Sequence, residues 1–276
     1  MAWLESNAQS GGDYIVEVSA NESLSPMILS YSSYSGISNV SITLKGTGTV
    51  RTVSLSSSGI LFEVASGVTL ILDNNITLQG RSGNNDALVR VYGTLVMNTG
   101  SCITGNTNTD YFGGGVTVNG GTFTMNGGTV SGNTAYGGGG VFAYYGTFTM
   151  NGGTISGNTT SNSSGGGGVY VASDGTFTMS GGTISGNTAS STGGGVSVDD
   201  EGIFTKTGGT IYGYSASDTV NSNVVKDGYG TVENNKGHAV YADQGYLSKR
   251  RETTAGSSVN LSFNGNNGTF SGGWDN

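Results

Sequence analysis

Gly121-Thr122-Phe123-Thr124-Met125-Asn126-Gly127-Gly128-Thr129-Val130-Ser131-Gly132-Asn133 is written three times in this chain, with small edits, at residues 121–133, 146–158 and 175–187. Looser copies begin at Gly93 and Gly202, so successive copies start 28, 25, 29 and 27 residues apart. A period of this length is the mark of a solenoid, in which a repeat closes its core only against its neighbours.

Within each copy Thr-Phe-Thr-Met alternates polar and apolar with period two, the pattern of a strand with one buried face. Phe and Met point inward and the threonines outward. The Gly-Gly pair permits a tight bend, and Thr-Val/Ile-Ser supplies a second short strand. Gly-Asn then reads as a corner, because both residues tolerate positive φ. A third strand follows in Gly-Gly-Gly-Val-x-Val, with Val116 and Val118, Val169 and Val171, and Val196 and Val198 as inward pairs, and Val141 with Ala143 in the remaining copy.

Three short strands and three corners in each repeat predict an all-β, three-sided parallel β-helix of 25–29 residues per coil, right-handed by the bias of parallel crossovers. Stacking the coils satisfies the backbone between coils and lines side chains up in columns. One inward column is Leu70, Leu95, Phe123, Phe148, Phe177 and Phe204, and its neighbour is Leu72, Met97, Met125, Met150 and Met179. Residues 1–39 read as an N-terminal cap, 40–212 as the shaft, and 213–276 as an irregular last coil with a C-terminal cap. Lys206 stands where the preceding copies have Met. A buried, unpaired ammonium is too costly, so the coil is expected to open there or the strand to turn its face to water.

The composition narrows the function. Of 276 residues 52 are glycine, the net charge is −8, and charged residues make up 10%. Scarce charge and a negative balance argue against a nucleic-acid partner, which needs clustered cations. Cys102 is the only cysteine and excludes an intramolecular disulfide. No apolar run is long enough for a transmembrane segment, and residues 1–12 carry no signal-peptide core. No cofactor or metal is expected.

Titratable groups are sparse where the repeats are most regular: between Tyr111 and Val198 the only one among Asp, Glu, Lys, Arg and His is Asp174. General acid/base chemistry needs positioned titratable groups, so an enzyme is not the first expectation. A polysaccharide lyase or hydrolase would instead bring Arg51, Arg81 and Arg90 together with carboxylates near the early coils. Glu63 and Arg90 fall on corresponding strands of adjacent coils and are expected to pair. Asp199-Asp200-Glu201 and Lys249-Arg250-Arg251 read as solvated turns, and the lone His238 has no companion that sequence can pick out.

Two outward features are candidates for binding. Threonines form ranks: Thr122, Thr147 and Thr176 beside Thr124, Thr149 and Thr178. On the third strand the outward column carries Phe142, Tyr170 and Tyr241, with Tyr144 close by. Exposed aromatics on a rigid face can stack on sugar rings or anchor a protein, or merely stabilise the ladder by packing on one another.

The copies Gly127-Gly128-Thr129-Val130-Ser131-Gly132-Asn133, 152–158 and 181–187, alternating with Gly-Gly-Gly-Val-x-Val, resemble the repeats of bacterial surface β-helix proteins. They are similar to the Gly-Gly-Ala-Ile repeats of polymorphic outer membrane adhesins, with Thr in place of Ala. The resemblance spans roughly residues 67–241. It implies a pectin-lyase-like right-handed parallel β-helix outside a bacterial cell, with a role in adhesion or envelope architecture. The expected function is thus an extracellular or cell-surface module that binds a glycan or protein through its side walls. Ice binding through the Thr-x-Thr rows, a polysaccharide-degrading enzyme, and a homo-oligomer or self-assembling fibre are the alternatives. A Thr-x-Thr face is similar to that of β-solenoid antifreeze proteins.

Overall fold

The computed structural model describes residues 4, 7–30, 39–161, 165–245 and 247–275. It is an all-β solenoid of about seven turns. Three parallel walls run its length, and each opens with a strand inside residues 1–39. The first wall goes from Asp13–Val18 to Ile203–Lys206, the second from Glu22–Leu24 to Thr210–Ile211, and the third from Met27–Leu29 to Val240–Ala242. Within a coil the strands make few hydrogen bonds to one another. Instead each pairs with its copy in the next coil, as where Thr147 N donates to Gly121 O at 2.9 Å.

The register follows the repeat. Thr122–Met125 pairs residue for residue with Thr147–Met150, and that strand with Thr176–Met179. Phe123, Phe148, Phe177 and Phe204 are therefore stacked along the axis, with centroids 4.7, 4.7 and 5.4 Å apart and the first two pairs within 10° of parallel. All four are fully buried, as are Met97, Met125, Met150 and Met179 beside them. Each such side chain contributes about 1.5–3 kcal/mol, which is how a chain so rich in glycine obtains a core. The triple glycines permit the coils to approach closely: a Cβ on Gly139 would sit 2.5 Å from Thr159 O.

The structure adds two features to the corner. The stretch after Gly-Asn is not merely a turn: Thr134–Ala135, Thr159–Thr160, Thr188–Ala189 and Val224–Val225 form a fourth, short parallel sheet. The corner asparagines also do not adopt positive φ. Gly132, Gly157 and Gly186 do, at 63°, 63° and 64°, and each aims the following asparagine into the core. Asn133, Asn158, Asn187 and Asn223 are fully buried. The Oδ1 of Asn158 accepts from both N and Nδ2 of Asn133, at 3.0 and 3.1 Å. The same pattern repeats from Asn158 to Asn187 and from Asn187 to Asn223. This internal ladder satisfies corner amides that bulk solvent does not reach.

Lys206 overturns the expectation placed on it. It pairs with Met179 in register and is fully buried, so the coil neither opens nor turns outward. Its Nζ donates to Gly256 O and Val259 O, both at 2.8 Å. Those carbonyls belong to a lid in which the parallel order stops: Leu261–Asn264 and Thr269–Gly272 add to the first wall antiparallel, and Lys249–Arg251 adds antiparallel to the third. An antiparallel lid covers strand edges that would otherwise invite further pairing.

Candidate functional site

The third wall concentrates the non-repetitive chemistry. Its outward column reads Glu63, Arg90, Thr117, Phe142, Tyr170, Ser197 and Tyr241 by register. As expected, Glu63 and Arg90 pair, at 3.7 Å, and Arg90 also holds Asp86 at 2.6 Å.

Farther along, the corner loops fold over the column. Phe112, which sits in a loop just before a glycine run, lays its ring on Phe142 at 5.0 Å and on Tyr170 and Tyr136 at 5.7 Å each. Thr117 Oγ1 donates to Phe112 O at 3.0 Å and pins that loop. Phe142 is only 8% exposed as a result, so it is the floor of an aromatic cluster and not a free surface ring. Tyr144 also stacks on Phe142, at 5.6 Å, and meets Tyr145 edge-on at 4.5 Å. The Tyr170 hydroxyl donates to the Asp199 carboxylate. Burial raises the pKa of both groups above their ordinary values; the carboxylate adds to the effect on the phenol, and the phenol's hydrogen bond opposes that on Asp199.

Beside this cluster lies a groove of about 440 Å³ lined by Arg90, Tyr92, Tyr111, Phe112, Asn119 and Tyr144. Tyr111 is 60% exposed and Tyr92 37%. Phe112, Tyr111 and Tyr92 were not legible as site residues, since they lie in corners outside the repeating strands. Tyr241 is set apart toward the lid, where it pairs with Ser197 and Arg250.

The threonine ranks occupy a different wall. Thr122 and Thr147 are exposed, and Thr124, Thr149, Thr176 and Thr178 half-buried, all in register on the outside of the first wall. A further rank, Thr129, Thr154, Thr183 and Thr210, runs along the second. Cys102 lies in that second rank beside Thr129, and burial pushes its thiol pKa up.

The remaining charged residues are dispersed or spoken for. Arg51 is on the second wall and Arg90 on the third, so those two arginines do not share a face. In the basic cluster Arg251 pairs with Asp275 at 2.7 Å, Arg250 lies 3.5 Å from Glu252, and Lys249 sits over the Phe270 ring. His238 has a companion after all, Glu252, in the lid. Among the described residues no group of three or more His, Cys, Asp or Glu could hold a metal, and no helix is long and apolar enough to cross a membrane. No protein-family model, curated protein or solved structure matches the chain.

Proposed function

We propose that this protein is a rigid extracellular or cell-surface shaft, of adhesive or structural use on a bacterial cell, that binds a glycan through its third wall. The observation that carries the reading is the groove in which exposed Tyr111 and Tyr92 flank Phe112, Asn119 and Tyr144. Aromatic faces gain dispersion contact with the C–H faces of pyranose rings while a phenol or amide bonds the hydroxyls. Arg90 adds donors, but Asp86 and Glu63 offset its charge, which favours neutral sugars over acidic ones.

The test is a glycan array followed by calorimetry with the best neutral oligosaccharide. Tyr111→Ala and Tyr92→Ala should each weaken binding about fivefold to tenfold, on the order of 1 kcal/mol, with the unfolding temperature unchanged. Failure of every glycan to bind, or binding indifferent to both substitutions, contradicts the reading.

The registered Thr-x-Thr rows of the first wall favour a second reading, ice binding by spaced methyls and hydroxyls. It requires thermal hysteresis that Thr149→Tyr abolishes.

A further inference from the structure

Among the described residues six other than glycine take positive φ, and five of them, Asn39, Asn75, Ser173, Asp174 and Asn235, are short and polar. Short polar side chains enter the left-handed region at the least cost. The sixth is Tyr145, at 50°. A bulky aromatic there is a conformational outlier that raises the free energy of the fold, and such strain concentrates where a structure has a use for it.

The neighbouring coil shows what the backbone alone requires. Asn119-Gly120-Gly121 and Tyr144-Tyr145-Gly146 are the same corner one coil apart, with Asn119 paired to Tyr144 before it and Thr122 to Thr147 after it. Gly120 stands where Tyr145 does and takes φ 71°. Both corners keep their bonds between coils: Gly120 N donates to Tyr144 O at 3.0 Å, and Tyr145 N to Ser173 O at 3.1 Å. A Cβ on Gly120 would meet nothing within 4 Å, so this corner position faces open space and no core contact calls for a large residue. Glycine meets the need, and tyrosine is the strained choice.

Nor is the ring put away. Tyr145 is 56% exposed. It meets Tyr144 edge-on, with centroids 4.5 Å apart and the two planes at 70°, and Tyr144 lines the third-wall groove. The two rings thus stand nearly at right angles at the rim of that groove, where the third wall turns into the first. Burial does not offset the strain at Tyr145, since more than half of the side chain meets water. An aromatic ring held at such a rim, reachable from solvent, is placed to touch whatever extends out of the groove.

We propose, on the footing of the glycan reading of the third-wall groove, that Tyr145 is the platform of a further subsite, which receives the sugar next to the one held between Tyr111 and Tyr92. The ligand is then a neutral chain of several units and not a single sugar. The face of Tyr145 supplies dispersion contact to a pyranose ring, and its phenol a hydrogen bond.

Calorimetry with the di- to hexasaccharides of the cellulose, chitin and starch series tests this, run beside thermal unfolding of the same proteins. In at least one series the affinity of the unmodified protein should climb with chain length, by about fivefold to tenfold over the shortest member that binds. Tyr145→Gly should erase that increment and still bind the shortest member normally. Its unfolding temperature should hold or rise, because glycine relieves the strain. Tyr145→Phe keeps the ring and should keep most of the increment. Affinity that climbs equally in Tyr145→Gly, or does not depend on length, overturns the proposal. So does a drop of more than about 2 °C in the unfolding temperature of Tyr145→Gly, which would mean that the ring is kept for packing. A chain whose binding falls in Tyr111→Ala but shows no Tyr145 increment removes this subsite alone, whereas binding in none of the three series contradicts the groove reading as well.

Discussion

Lys206 Nζ lies 2.8 Å from Val259 O, so the last member of the methionine column is also the bolt of the lid. The ammonium is tolerated because two carbonyls replace its water. Burial, with the Arg251 charge a smaller contributor, lowers its pKa. Lys206→Met restores the residue of the earlier coils but strips the carbonyl of Val259 of its ammonium donor and leaves that of Gly256 with the Val259 N–H alone. It should destabilise by roughly 1–3 kcal/mol in urea unfolding, with faster amide exchange confined to the lid. A gain in stability would show that the lid does not depend on this lysine.

The asparagine ladder gives a sharper test, because an isosteric change reverses its polarity. Asn158 Nδ2 donates to Val130 O and to Asn187 Oδ1, each at 3.0 Å. Asn158→Asp sets a carboxylate oxygen against both acceptors, and should cost more than Asn158→Ala, itself expected to lose roughly 2–4 kcal/mol through unpaired backbone groups. The reverse ranking in denaturant midpoints would mean that the ladder is not held by these bonds.

The two faces of one strand should respond differently. Phe148 is fully buried between two rings and Thr147 is exposed beside it. Phe148→Ala should cost roughly 3–5 kcal/mol, whereas Thr147→Ser should change stability by less than about 0.5 kcal/mol. Equal losses would invert the assignment of faces.

Stability should also fall on mild acidification. Burial lowers the pKa of His238 below its ordinary 6.5, with the Glu252 charge partly opposing. The unfolded chain therefore takes up a proton near 6.5 that the native lid refuses, so stability is full above that pH and declines as pH falls toward the lower native value. His238→Asn keeps an acceptor for Val225 N–H and should flatten this dependence between pH 7 and 5. An unchanged slope in the variant would assign the acid sensitivity elsewhere.

The strand columns were legible because period-two alternation repeats in phase: Phe123, Phe148 and Phe177 occupy the same place in copies that hardly differ. The fourth sheet was not, since Thr134–Ala135 is two residues long and carries no period. The inward turn of Asn133 was hidden for a different reason. Gly-Asn signals a corner under either assignment of positive φ, and only the backbone shows that Gly132 takes it while the amide turns inward. Lys206 looked like a break because its acceptors lie some fifty residues on, where no local pattern points to them. The groove was half visible. Phe142 and Tyr144 stand on strands, but Phe112 and Tyr111 come from a corner loop whose path the repeat does not specify.

The central claim is that residues one repeat apart lie directly on one another inside the solenoid. Phenylalanine-protonated protein in a deuterated background would test it by ring-to-ring NOEs. Centroid separations of 4.7, 4.7 and 5.4 Å predict an unbroken chain of cross-peaks from Phe123 to Phe148 to Phe177 to Phe204. Well-resolved ring signals with no cross-peaks among these four would contradict it.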